Sequence, residues 1–326
     1  MNGILVIDKP KNCTSRDVVN KVGKIFNTKK VGHTGTLDPI ATGVLVLTLG
    51  DYTKLSEIIT SEYKEYIASV ILGIKTDTLD ITGNILEEEK INIKDEEIKN
   101  AINKMQCTYM QEVPIYSAVK INGKKLYEYA RNNQKVELPK MKVTIKQIEL
   151  VSDIKRDNDK IYFDIKCLVS KGTYIRSLIN DLAKILNTFG VMENLRRTKQ
   201  GNFDINQAVT LEQLEKKDYK LLPIDLCLPP YKRITVENEN EVINGKMFDN
   251  IYNEPIIFEN KNKEPIAIYK IYEKDNKKIK CDVESCKHND CECKNCTLDE
   301  IKVSAQGDKK EACKKETICD SYEEKK

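Results

Sequence analysis

The stretch of this sequence best equipped for chemistry is Gly32-His33-Thr34-Gly35-Thr36-Leu37-Asp38-Pro39-Ile40-Ala41-Thr42-Gly43. Its three glycines let the backbone turn tightly and approach a ligand closely. It holds one of the chain's two histidines and a single carboxylate, Asp38. Proline at position 39 biases Asp38 toward an extended conformation and removes the next amide donor. A carboxylate held that way, on a loop between two strands, can be presented to a substrate. Other readings stay open on these residues alone. A glycine-rich loop can cradle phosphate, although no Gly-Lys-Ser/Thr follows, so this is not a P-loop. Asp-Pro is also a common turn, and His33 fits a satisfied structural histidine.

The elements around this loop must position it. Gly3–Asp8 is a short apolar run stopped by Lys9-Pro10, which reads as a buried strand and a turn. Thr14-Ser15 offers a helix N-cap, and Val18, Val19, Val22, Ile25 and Phe26 recur at helical spacing. Residues 27–42 read as one long loop, Gly43–Leu49 as a second buried strand and Lys64–Gly73 as a third. Asp95–Met105 reads as a helix with acids in its first turn. Val113-Pro114 begins an extended segment, and Lys124–Arg131 reads as a short helix. Lys142–Val151 and Lys160–Ser170 alternate apolar and polar residues, as a paired antiparallel ribbon does. Tyr174–Leu186 gathers Ile175, Leu178, Ile179, Leu182 and Leu186 on one helical face. Strands and helices mix without strict βαβ order, which argues for an α+β sheet domain. Pro223, Pro229 and Pro230 mark a boundary, followed by strand candidates at Ile234–Val236, Ile256–Phe258 and Ile266–Ile271.

The loop together with Gly3-Ile-Leu-Val-Ile-Asp-Lys-Pro10 closely resembles the TruB family of bacterial tRNA pseudouridine synthases. Further matches run in order down the chain. They include Tyr63-Lys-Glu-Tyr66, Leu72-Gly73-Ile-Lys-Thr76-Asp77-Thr78, Pro114–Lys120, Gly123–Arg131, Ser170-Lys-Gly-Thr-Tyr-Ile-Arg176 and Leu195-Arg-Arg197. The resemblance covers residues 3–215 well and 230–275 more weakly. It implies a pseudouridine-synthase fold, with a central mixed, largely antiparallel sheet flanked by helices. It divides the chain into a catalytic domain at 1–225, a small β-rich PUA-like RNA-binding module at 230–278 and a cysteine-rich tail at 281–326.

The activity implied is isomerisation of uridine to pseudouridine at position 55 in the T loop of tRNA, with no cofactor or metal. The base must leave its ribose, turn and reattach through carbon 5, so it must first be taken out of the folded RNA. By resemblance Asp38 is the catalytic aspartate and Arg176 the arginine that pairs with it. Tyr66 stacks on the flipped uracil and assists proton removal at carbon 5. Tyr174 and Leu195 line the uracil pocket, His33 touches the RNA where the base leaves, and Lys9 sits in a turn near the site. The basic residues Lys29, Lys30, Lys120, Lys124, Lys125, Arg131, Lys171, Arg196, Arg197 and Lys199 are a reservoir for gripping RNA phosphates. The implied partner is the T-arm of tRNA, and the implied state is a monomer. The alternative on the same scaffold is a non-catalytic tRNA-binding or folding factor.

Composition agrees with this class without selecting it. Lys and Arg number 54 against 51 Asp and Glu, a net charge of +3 that excludes a histone-like polycation. Hydrophobic residues at 40% exclude wholesale disorder. No apolar run approaches a membrane span and no secretory signal is visible, so a cytoplasmic protein is expected. Residues 281–326 hold seven of the eleven cysteines and a net charge of −3. Cys281-x4-Cys286-x4-Cys291-x-Cys293-x2-Cys296, then Cys313 and Cys319, could bind zinc, but the spacing departs from clean paired C-x2-C knuckles. A disordered extension without a dedicated metal is expected there. A zinc-dependent nucleic-acid enzyme is the rival from another class. The His-x-Glu and Pro-Cys-x-x-Cys pair of base deaminases is absent from the sequence.

Overall fold

The computed structural model describes residues 2–56, 63–226, 228, 230–245 and 254–269, and the backbone of four short strands beyond residue 288. The chain divides into two compact units, Met1–Pro230 and Tyr231–Lys326.

The first unit is built on a mixed sheet. Its main strands are β1 (Gly3–Lys9), β2 (Val31–His33), β3 (Thr42–Leu49), β4 (Tyr63–Leu72), β5 (Thr108–Glu112), β6 (Lys140–Leu150), β7 (Lys160–Ser170) and β8 (Gly190–Gln200). Their order is β1-β3-β8-β4-β7-β6-β5, with β2 alongside β3. The β3–β8 pair is parallel, and the other neighbours along this path are antiparallel. The continuous apolar runs of β1 and β3 have a physical reason. Leu5, Ile7, Leu45 and Leu47 enter the main core, while Ile4, Val6, Val44 and Val46 enter a second, smaller one. Strands buried on both faces have no polar alternation to show. β7, by contrast, alternates buried and half-buried residues along its length.

Helices α1 (Ser15–Ile25), α2 (Asp95–Lys104), α3 (Leu126–Arg131) and α4 (Ile175–Ile185) complete the frame. α1 begins in a capping box, in which the Thr14 side chain accepts from the Asp17 amide and Asp17 accepts from the Thr14 amide. Val18, Val19 and Val22 of α1, Ile98, Ala101 and Ile102 of α2, and Leu178, Ile179 and Leu182 of α4 share the main core.

Three expectations change. Residues 27–42 are not one loop, because β2 crosses them and pairs with β3 from Val31↔Leu49 to His33↔Leu47. The extended segment near Pro114 lies earlier, as β5 over Thr108–Glu112. β8, central in the sheet, has no counterpart in the sequence reading: Asn194, Arg196, Arg197 and Lys199 mask its pattern.

In the second unit, Lys232–Thr235 pairs in parallel with Ile256–Glu259, which pairs antiparallel with Pro265–Tyr269. A short helix spans Glu239–Ile243. The last two residues of the expected strand at Ile266–Ile271 lie outside the described residues. In the tail the backbone forms two strand pairs, Asn289–Asp290 with Asn295–Cys296 and Val303–Ala305 with Thr317–Cys319. The expected disorder of the tail and its cysteine ligands otherwise lie outside the described residues. Among the described residues no helix is long and apolar enough to cross a membrane.

Candidate active site

The loop between β2 and β3 is fastened at almost every step. The Ser15 hydroxyl donates to the Leu37 carbonyl and accepts from the Leu37 amide, at 3.2 and 2.9 Å. The Asn12 amide donates to the Pro39 carbonyl, and the Ala41 amide to that of Asp38. Gly43 closes the loop with φ +99°, and a Cβ there would sit 2.2 Å from the Arg197 carbonyl. Only glycine fits where β3 meets β8. Asp38 is therefore carried on a rigid turn with its own carboxylate free to face outward.

Arg176 meets it from the first turn of α4. Its Nε lies 3.0 Å from Asp38 Oδ2, with the guanidinium side chain 6% exposed and the carboxylate 37%. The other guanidinium nitrogens donate to the carbonyls of Thr78 and Tyr116, at 3.0 and 3.1 Å. A second carboxylate, Asp80, lies 3.9 Å from Nε and is buried. Asp80 is itself held by the Thr78 hydroxyl at 2.8 Å and by the amide and hydroxyl of Thr82 at 3.0 and 2.5 Å. One buried cation thus faces two carboxylates, only one of which is open to solvent. The guanidinium fork suits this geometry, because it can bind a carboxylate while its remaining donors stay satisfied.

Asp38 and Arg176 open onto a cleft of about 780 Å³ that also contains Tyr66, Tyr174 and Leu195. Tyr66 and Leu195 are each 7% exposed and form apolar wall. Burial pushes the Tyr174 phenol above its ordinary range, so it stays a neutral hydroxyl. Tyr116, Tyr127 and Arg131 stand on the same cleft, with the Arg131 guanidinium 5.3 Å from the Tyr127 ring centre. The sequence reading missed Tyr116, Tyr127 and Asp80. For Asp80 the signal was the Thr78-x-Asp80-x-Thr82 spacing, in which hydroxyls two residues to either side can hold one carboxylate.

Two of the expected site residues, Lys9 and His33, stand off the cleft lining, Lys9 in the expected turn. Lys9 is fully buried and absent from the cleft lining. Its ammonium donates to the carbonyls of Cys13, Pro10 and Pro39, at 2.7, 2.9 and 3.4 Å, tying the turn after β1 to the loop. Burial lowers its pKa, opposed by the charges of Cys13 and Asp38. His33 is half-buried on β2, outside the cleft lining, and its Nδ1 is buried without a hydrogen-bond partner. Burial, then Arg16 and Arg197, lower its pKa, which keeps the imidazole neutral near pH 7.

The basic reservoir also divides. Arg197, read as an RNA-gripping residue, is 1% exposed. It donates to the carbonyls of Val44, Gly35 and Thr36, at 2.7, 3.0 and 3.4 Å, and its Nη1 lies 3.5 Å from the Tyr66 hydroxyl. It is an internal clamp on the loop. Arg196 is bound through both terminal nitrogens to Asp8, at 3.1 and 2.8 Å. Lys29, Lys120, Arg131, Lys171 and Lys199 are exposed, as a gripping role needs.

Residues 23–175 match the family model described as TruB family pseudouridylate synthase (N terminal domain), and residues 176–228 match that of the tRNA pseudouridylate synthase B C-terminal domain. A third model, a domain of unknown function (DUF1540), matches residues 279–322. The tRNA pseudouridine synthase B of Staphylococcus saprophyticus is 42% identical over 286 residues, 82% of this chain and 94% of the relative. That of Alkaliphilus oremlandii is 44% identical over 250 residues, 75% of this chain and 82% of the relative. Among solved structures, a Cbf5-Nop10-Gar1 complex contains a chain similar in fold, with TM-score 0.60 and 22% identity over 82% of this chain and 78% of that one.

Proposed function

We propose where and by which groups the reaction runs, given that this chain belongs to the TruB family of pseudouridylate synthases. It isomerises uridine to pseudouridine in tRNA. The target is the uridine at position 55 in the T loop, and the enzyme works as a monomer on the T-arm. The nucleotide is extruded into the cleft, where Tyr66 and Leu195 replace the stacking partners it leaves. Stacking on an aromatic ring is worth about 1–3 kcal/mol, enough to offset part of the unstacking cost.

Asp38 then acts on the ribose as nucleophile or base while the bond from carbon 1′ to N1 breaks. The uracil turns, carbon 5 bonds to carbon 1′, and the proton of carbon 5 is lost as N1 gains one. Nothing is oxidised or reduced. Arg176 supplies the fixed counter-charge to Asp38, and the hydroxyl of Tyr66 assists removal of the carbon 5 proton by accepting it as its own proton passes to solvent. Lys9 and Arg197 serve as positioning residues by holding the loop that carries Asp38.

The observation that supports this reading is the 3.0 Å pair between buried Arg176 and the open carboxylate of Asp38, on a cleft with aromatic and apolar walls. The experiment uses tRNA transcripts tritiated at carbon 5 of uridine. The expected result is release of one tritium per tRNA, and none from a transcript with cytidine at position 55. Equal release from both transcripts would overturn the assignment of the target.

A further inference from the structure

Lys64 stands apart from the other lysines of the first unit. It is 8% exposed, and among the described residues no hydrogen bond or ion pair reaches its ammonium. It lies two residues before Tyr66 on β4, so the two side chains share one face, about 6–7 Å apart along the strand. A Cβ on Gly35 would lie 3.4 Å from Lys64 Cε, 3.5 Å from Arg197 Nη1 and 3.4 Å from Gln200 Oε1. The lysine stem therefore runs beneath the turn that carries Asp38.

The charges that act on it most are those of two cations, Arg197 and Lys171. Burial, then these two, push its pKa down to about 8. Arg197 has its donors committed to carbonyls of the loop and of Val44, so it contributes charge but no free fork. A lysine side chain this buried beside a buried guanidinium is costly unless an anion arrives. Val169 on β7 is the register partner of Lys64, and exposed Lys171 follows it by two residues. That residue also lines a surface recess of about 320 Å³ with Tyr63, Lys142, Thr144 and Ser170.

We propose that Lys64 and Lys171, with Arg197 behind them, form a phosphodiester site that grips the RNA backbone beside the nucleotide entering the cleft. This rests on the chain acting on RNA and adds the contact by which it seats the extruded nucleotide. One backbone phosphate takes the place of the missing counter-ion. The strand spacing puts that phosphate about one nucleotide's reach from the base held against Tyr66.

The test is tRNA binding by the full-length enzyme from 50 to 300 mM KCl, with Lys64→Gln, Lys64→Arg and Lys171→Gln. Each phosphate contact contributes about 0.7–0.9 to the slope of log affinity against log salt. Lys64→Gln should weaken binding roughly tenfold and lower the slope by that amount, as expected for one charge-assisted contact. Lys64→Arg should restore the slope. Lys171→Gln, at an exposed position where folding is not at stake, should lower it as well. Unchanged slopes in both Gln variants would overturn the proposal, since a purely structural lysine alters affinity without altering ion release. Tritium release by the wild-type enzyme is followed in parallel. A wild-type enzyme that binds with the expected slopes but releases no tritium would contradict the catalytic reading and leave the phosphate site standing.

Discussion

At the scale of single residues, the site turns on how buried charges are matched. Arg176 serves Asp38, two backbone carbonyls and the more distant Asp80 at once. Lysine in its place keeps the charge and loses the fork. Arg176→Lys should cut turnover about a hundredfold, roughly 3 kcal/mol of transition-state stabilisation. Single-turnover tritium release measures it, and retention of more than a third of the rate would show that charge alone suffices. Lys64 makes the opposite kind of prediction. Its pKa falls from 10.5 in the unfolded chain to about 8 in the fold. Between those values the unfolded state binds more protons, so this group's destabilising effect is complete below pH 8 and fades as pH rises toward 10.5. Lys64→Met should therefore stabilise the RNA-free protein at pH 7, and the gain should shrink by pH 9.5. Urea unfolding at the two pH values checks this, and an equal gain at both would contradict it. A group retained at a cost to stability is what a binding role predicts.

At the scale of elements, the loop between β2 and β3 is a rigid part held from three sides. Lys9 reaches it from the end of β1, Ser15 from the start of α1 and Arg197 from β8. Gly43→Ala forces a Cβ against the Arg197 carbonyl at a positive φ. It should cost roughly 3 kcal/mol or more in stability, read as a fall in urea midpoint, and should depress turnover by displacing Asp38. A stable, fully active Gly43→Ala would show that the β3–β8 seam is looser than its geometry.

How much of this was legible from the sequence depended on the kind of signal. Asp38 and Arg176 sit inside long collinear motifs, and β1, β3, β4 and α4 have strong apolar patterns. Asp80 stayed hidden because its partners are local hydroxyls and a side chain from α4, about a hundred residues on. Lys64 stayed hidden, and Arg197 reads as an RNA grip, because a lysine or arginine is ordinarily solvated. The alternation of β4 nevertheless puts Lys64 with Tyr66, Ala68 and Val70 on its buried face. β8 escaped because a central strand made of Asn, Arg, Thr and Lys carries little apolar periodicity.

At the scale of the molecule, the residues named for catalysis span positions 38 to 195, and the matches to the TruB models end at residue 228. The cysteine-rich segment lies beyond both and matches a domain of unknown function instead. A chain ending at Lys280 should keep the turnover of the full protein on tRNA within about threefold. Loss of activity on that truncation, or on treatment of the full chain with a zinc chelator, would instead place the tail cysteines in the reaction.

The central claim is that one carboxylate on the β2–β3 loop does the chemistry while other groups hold the RNA. The most direct measurement pairs two readings on Asp38→Asn, an isosteric change that removes only the charge. With tRNA saturating, tritium release should fall by at least about a thousandfold, while the dissociation constant for tRNA stays within about threefold of the wild type. Turnover close to wild type in that variant would contradict the account.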